Sequence, residues 1–215
     1  MKQAYFSKAA YTLSVMVILS LSAAPWSGQR GSTKVTVSIV SDDAPGLAAM
    51  HGLNKLIAAL KARGVSVGQA GSLEAARGEM LIVAGRAAAS GAVAALHKSL
   101  GVAPPESAES LLIRRTKWNG KTALLVSGAD DRGLMYALLD VADRVGWAAD
   151  PNNPLSEVRD VAEKPYVAER GVSIYTMQQA DFENRFFNED YWARYFDMMA
   201  RDRFNTFVLI FGYEN

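Results

Sequence analysis

Along residues 35–40 the chain reads Val-Thr-Val-Ser-Ile-Val, alternating and largely β-branched, and the pattern predicts a strand. Asp42, Asp43 and Pro45 then supply residue types that open helices. Met50, Leu53, Ile57 and Leu60 recur every three or four positions, one apolar helical face that Gly64 should end. Further strands are expected over 65–67 and 80–84, and residues 87–100 read as an alanine-rich helix presenting Val93, Leu96 and Leu100. The runs 111–118 and 121–126 flank Asn119-Gly120. Both residues tolerate positive φ, as a two-residue hairpin turn demands, so an antiparallel pair is predicted. Asp130 and Asp131 start another helix, whose Leu134, Leu138, Val141 and Val145 face one way and which Gly146 ends.

Residues 33–147 are thus expected to form a sheet of about five strands crossed by helices. Residues 148–165, rich in Asp, Asn, Pro and Glu and without periodicity, read as a linker or exposed connection. Beyond them a strand is predicted over 171–176. Asn188 caps a helix carrying the stripe Trp192, Tyr195, Phe196 and Met199, with Asp197 between Arg194 and Arg201 supporting its outer face. The run 206–211 is apolar without alternation, as in a parallel strand covered on both faces. Two parallel strands and one helix cannot cover it. The fold class is therefore α/β: a small α/β sandwich module over 33–147, then over 166–215 the first βαβ unit of an incomplete larger barrel, as of the TIM type, or sheet.

Composition narrows the functions available. Half the residues are hydrophobic, ample for a packed core. With 23 Lys and Arg against 22 acids and a net charge of +1, no strong field attracts nucleic acid or anionic lipid. The lack of cysteine excludes disulfides, thiolate nucleophiles and thiolate metal sites. Lys2 and Lys8 precede an uncharged run over 9–29 whose centre, 13–21, is apolar, and no acid appears before Asp42. This reads as a secretory signal peptide over 1–24, with Ser22 and Ala24 as the small residues of a cleavage site; an uncleaved anchor is the alternative. A charge of +1 less Lys2 and Lys8 leaves −1. The expected destination is secreted or periplasmic, off the membrane once the signal is cut.

Several local signals carry no chemistry. Gly120-Lys121-Thr122 matches only the tail of a phosphate loop, with Arg115 where a glycine is required. Gly171-Val-Ser173-Ile-Tyr175 lacks the last glycine of a nucleophile elbow. His51 and His97, without cysteine or an HExxH spacing, read as surface or boundary residues, and no metal or cofactor is expected. The aromatic stripe reads as helix-to-barrel core rather than a carbohydrate platform.

The order of motifs supplies a functional expectation. Gly128-Ala-Asp-Asp-Arg-Gly133-Leu-Met-Tyr-Ala-Leu-Leu-Asp140 closes the module, Glu169-Arg170-Gly171 opens one strand, and Arg203-Phe-Asn-Thr206 opens the next. Over residues 33–215 this resembles secreted glycoside hydrolases, nearest the β-N-acetylhexosaminidases and α-glucuronidases, in which a non-catalytic α/β module packs on a catalytic (β/α)₈ barrel. The resemblance implies that Arg170 holds hydroxyls of the terminal sugar. The structural alternative is an Arg170 paired with a carboxylate such as Glu169. At the second strand the hexosaminidases carry a His followed by acids, whereas this chain has Ile210, Gly212, Tyr213 and Glu214. That departure points to a divergent branch.

The family's paired catalytic carboxylates belong to later barrel strands, so no catalytic residue is expected within this chain. The stretches 178–187 and 213–215 would border the sugar, which makes Tyr175, Asp181, Glu183 and Glu214 candidate substrate contacts beside Arg170. A solvated-loop role for Asp181 and Glu183 stays open. The expected function is the amino-terminal part of an exported hydrolase of O-glycosidic bonds, inactive by itself. The rivals are a non-catalytic carbohydrate-binding or scaffolding protein and a nucleotide-binding α/β protein, the last without any glycine-rich fingerprint.

Overall fold

A computed structural model describes residues 35–41, 44–175 and 179–210, with backbone alone for 179–182. The leader over 1–24, Asp42, Asp43 and Glu214 lie outside the described residues. The chain is α/β, as the pattern predicts.

A six-stranded sheet holds β1 (Thr36–Ser41), β2 (Ser66–Ala70), β3 (Met80–Arg86), β4 (Leu111–Trp118), β5 (Lys121–Gly128) and β6 (Val161–Glu163), in the order β2-β1-β3-β5-β4-β6. β2, β1, β3 and β5 run parallel, and β4 is antiparallel to both β5 and β6. The predicted hairpin closes through Asn119 and Gly120, at φ of 48° and 81°.

Two apolar layers cover the sheet. On one face α1 (Leu47–Ala62) and α3 (Asp131–Trp147) pack Leu53, Leu56, Leu60, Leu138 and Val141 over Ile39, Ile82 and Val126. On the other, α2 (Ala92–Leu100) sets Val93 and Leu96 over Leu81, Val83 and Leu125. Alternation along each strand sends successive side chains to opposite layers, so an apolar run such as Leu81-Ile-Val83 is buried on both sides.

Four expectations change here. The helix expected from residue 87 begins only after Gly91, whose φ of 102° breaks the helical path. α1 has Gly46 as its N-cap with no side-chain cap, and the Gly46 N–H instead donates to Asp131 Oδ1 at 3.3 Å. The 148–165 segment is not an exposed linker: Ala148, Leu155 and Val158 are buried, and β6 becomes the sixth strand. Its apolar residues are too sparse to show a period, yet each falls where the α3 layer or the edge of β4 can receive it. His97, read as a surface or boundary residue, is buried. Its Nδ1 lies 3.2 Å from the Val102 carbonyl, which can only accept, so Nδ1 carries the proton and Nε2 pairs with the Ser127 hydroxyl at 3.0 Å.

The last segment builds β7 (Gly171–Tyr175), α4 (Gln179–Phe186), α5 (Glu189–Arg201) and β8 (Thr206–Ile210). β7 and β8 pair in parallel, Gly171 opposite Thr206 through Tyr175 opposite Ile210. Asn188 caps α5 as predicted, accepting from the Tyr191 N–H at 3.0 Å. The aromatic stripe is only partly core: Met199 is buried, Trp192 and Tyr195 are half-buried and Phe196 is 45% exposed, although all three rings meet the Phe207 ring, with centroids 5.2–5.8 Å away. Asp197 accepts from Arg201 Nε at 3.1 Å at the helical spacing expected, but it faces inward to α1 rather than an outer face, with Lys55 Nζ at 2.9 Å and His51 Nε2 at 3.0 Å.

Candidate functional site

The two ends of the β7/β8 pair differ in chemistry. At their carboxyl ends lie Tyr175, which is 55% exposed, and then α4. The stretch 178–187, expected as a loop, is thus largely helix. Glu183 stands exposed on α4 beside a shallow depression that it lines with Asn184, Phe187, Asn188, Glu189 and Asp190. Asp181 also falls on α4, though its side chain lies outside the described residues. Tyr175 is thus the last residue of β7, and Glu183 lies on the helix that follows it in the chain.

Because side chains alternate along each strand, Phe207 and Leu209 turn toward α5 while Thr206, Val208 and Ile210 turn away. On that second face Tyr175, Val208 and Ile210 remain exposed, at 55%, 45% and 42%, with Ser173 between them also exposed. Uncovered β-branched and aromatic residues in a parallel pair contrast with the double burial of β3 and β5.

At the amino-terminal ends the groups are polar and close-knit. Arg170 precedes β7. Its Nε donates to the Arg203 carbonyl at 2.7 Å, its Nη1 to Val167 and Ala168 carbonyls at 2.8 and 3.2 Å, and its Nη2 to Glu109 Oε2. Protein acceptors thus surround the guanidinium. The structural alternative for Arg170 is realised with Glu109 as its partner, not Glu169. Arg170 lies about a strand length, roughly 16 Å, from the end of β7 that Tyr175 occupies.

No local pattern in the sequence marks Glu109. It follows a Pro-Pro-Glu-Ser stretch that reads as a loop, and its partners are 23, 61 and 96 residues away. Burial pushes its carboxyl upward, but hydrogen bonds from Arg170, Arg132 and Asn205 outweigh that and hold it below the usual carboxylate range. Arg170 shifts oppositely: burial works against its charge, and the Glu109 carboxylate more than restores it, raising the guanidinium above its ordinary value. A second charged seam joins α5 to the module. Burial raises Asp197, yet hydrogen bonds from Lys55 and Arg201 bring it below its ordinary value. Asp143, which also pairs with Arg201, moves upward: burial leads, and Asp140, Asp197 and Asp202 nearby add to it against the single arginine.

The module has a crevice of about 620 Å³ at the carboxyl ends of β3 and β5, walled by Arg86, Ala88, Ala89, Asp130, Asp131 and Arg132 among others. Asp130 is engaged there as the α3 cap, accepting from the Gly133 N–H at 2.8 Å and the Glu109 N–H at 2.9 Å. Among the described residues no group of three or more His, Cys, Asp or Glu is placed to hold a metal ion. No described helix is long and apolar enough to cross a membrane.

No protein-family model matches this chain, and no curated protein sequence does. Among solved structures, the chain is similar to a GH138 enzyme targeting pectin rhamnogalacturonan II, with a TM-score of 0.56 and 20% identity over 81% of this chain. A second structure, CpGH84D, gives a TM-score of 0.44 and 12% identity over 54% of this chain. Both are glycoside hydrolases. This chain spans about 18% of the length of either. The likeness to the first establishes a shared fold.

Proposed function

We propose that the chain is the amino-terminal portion of an exported glycoside hydrolase acting on O-glycosidic bonds of oligo- or polysaccharides. In this reading the α/β module, extended through β6 to residue 163, is non-catalytic, and β7–α4–α5–β8 opens a (β/α)₈ barrel. The observation that carries the proposal is the parallel β7/β8 pair with one side packed on α5 and the other, Ser173, Tyr175, Val208 and Ile210, left uncovered. Such a row suits the inside of a barrel, where side chains from neighbouring strands would layer against it. The shared fold with a GH138 enzyme supports the same reading.

The chemistry then belongs to a pair of carboxylates on strands outside these residues, one protonating the leaving oxygen. Tyr175, at the carboxyl end of β7, and Asp181, Glu183 and Glu214, later in the chain, would border the sugar through ring stacking and hydroxyl hydrogen bonds. Arg170, at the opposite end, would serve the scaffold. Residues 1–24 would direct export to the periplasm or medium.

The test compares the 215-residue chain with the product of its reading frame followed past Asn215. Both are assayed for reducing-sugar release from aryl glycosides and pectic oligosaccharides. Hydrolysis by the longer product alone is the expected result. A frame that stops at Asn215, with the chain retarded by polysaccharide in affinity electrophoresis but releasing no sugar, would establish the carbohydrate-binding alternative instead.

A further inference from the structure

One carboxylate gathers the amino-terminal ends of both parallel strands. Glu109 Oε1 accepts from Arg132 Nη1 on α3 at 2.9 Å and from Asn205 Nδ2, the residue before β8, at 3.1 Å. Its Oε2 accepts from Arg170, the residue before β7, and stands 3.3 Å from the same Asn205 nitrogen. Asn205 in turn accepts the Arg170 backbone N–H at 2.9 Å through Oδ1 and donates to the Ala168 carbonyl at 2.7 Å. A single side chain of the module therefore touches the entry to each of the two strands, and they touch each other.

The backbone makes the placement informative. Glu109 sits at φ 59°, in the left-handed region where glycine is the unstrained residue. Its side chain is only 9% exposed. A buried acid in a conformation suited to glycine shows that this turn carries a carboxylate against local backbone preference. Asp130 fixes the turn, because its Oδ2 accepts the Glu109 N–H while its Oδ1 caps α3. The carboxylate is thereby tied to the rigid α3 layer.

We infer that Glu109 is a positioning residue that sets the β7 and β8 entries relative to the α/β sheet, making the module a fixed bracket for the parallel pair rather than a tethered appendage. The inference stands whether or not the chain belongs to a glycosidase, since it concerns geometry and not turnover. The bonds it relies on are charge-assisted, the kind whose loss opens a segment locally.

Glu109→Gly separates this role from an ordinary turn role, because glycine relaxes the backbone while deleting the carboxylate. Hydrogen exchange read by mass spectrometry on the 215-residue chain should rise about tenfold or more over 171–175 and 206–210, with β1, β3 and β5 protected as in the wild type. Glu109→Gln, which keeps an acceptor oxygen without the charge, should fall between. Asn205→Ala, outside the module, should loosen the same two segments, and it keeps the test sharp if the glycine variant folds poorly. Unchanged exchange over 171–210, or a rise spread evenly over the whole chain in both Glu109→Gly and Asn205→Ala, would overturn the assignment.

Discussion

Gly133 lies in the first turn of α3, and a Cβ there would stand 2.3 Å from the Ser110 carbonyl oxygen and 3.1 Å from the Glu109 carbonyl carbon. Unbonded carbon and oxygen rest at about 3.3 Å or more, so Gly133→Ala must part α3 from the turn before β4 by about 1 Å. Both obstacles are main chain, which cannot swing aside as a side-chain tip does. Overpacking of this kind costs about 3 kcal/mol. The shift also strains the Glu109 N–H bond to Asp130 at 2.9 Å and the Ala129 N–H bond to Ser110 at 3.0 Å, for about 1 kcal/mol more. Alanine offsets about 1 kcal/mol through helix propensity. The net loss is about 3 kcal/mol, a fall in Tm of roughly 6–12 °C for a chain of this size. Gly146 provides the control within the same helix: nothing stands within 4 Å of its added Cβ. Gly146→Ala should therefore stabilise by about 0.5–1 kcal/mol. Urea unfolding followed by circular dichroism measures both. If Gly133→Ala proves as stable as the wild type while Gly146→Ala gains stability, the close-approach reasoning is wrong.

Further outcomes follow from the same geometry. Glu109 and Asp197 have folded-state carboxyls held below their ordinary values, so their stabilisation is complete above the unfolded value and is lost as pH falls through the folded one. Asp143, raised, works the other way: its contribution is present in acid and is lost as pH rises. Glu109→Gln should therefore lose less stability than the wild type between about pH 7 and about pH 3, and equal losses in urea midpoints would count against the clamp's charge. Leu155→Ala should cost about 2–4 kcal/mol in urea unfolding, where an exposed linker residue would cost under about 0.5 kcal/mol. Ser127→Ala leaves buried His97 Nε2 without its hydroxyl partner and should cost about 1–3 kcal/mol in the same assay; a neutral result would show that another group replaces the bond.

Much of the architecture was legible in the chain because local periodicity and capping decide where an element starts and stops. The Asn119-Gly120 hairpin, the Asp130 cap of α3, the Asn188 cap of α5 and the apolar run of β8 all follow from residues within a few positions of one another. Where few residues carried the signal it failed. β6 is three residues long, and Leu155 and Val158 are single apolar residues in polar surroundings, so neither shows a period. The candidate site divided similarly. Tyr175 falls at the carboxyl end of β7 because strand direction is encoded locally, whereas the partners of Arg170 could not be read there.

The sequence by itself determined the α/β class, the parallel βαβ order at the end of the chain and the absence of thiolate chemistry, since these depend on composition and short-range pattern. Only the tertiary structure decided that Asp197 turns inward, that His97 is buried and that Glu109 joins Arg132, Arg170 and Asn205. The reason is physical. A charge makes no periodic mark on a sequence, and its partner is whichever opposite group the packed layers carry within about 3 Å. That choice depends on how α5 packs against α1 and α3, which no local stretch of sequence specifies.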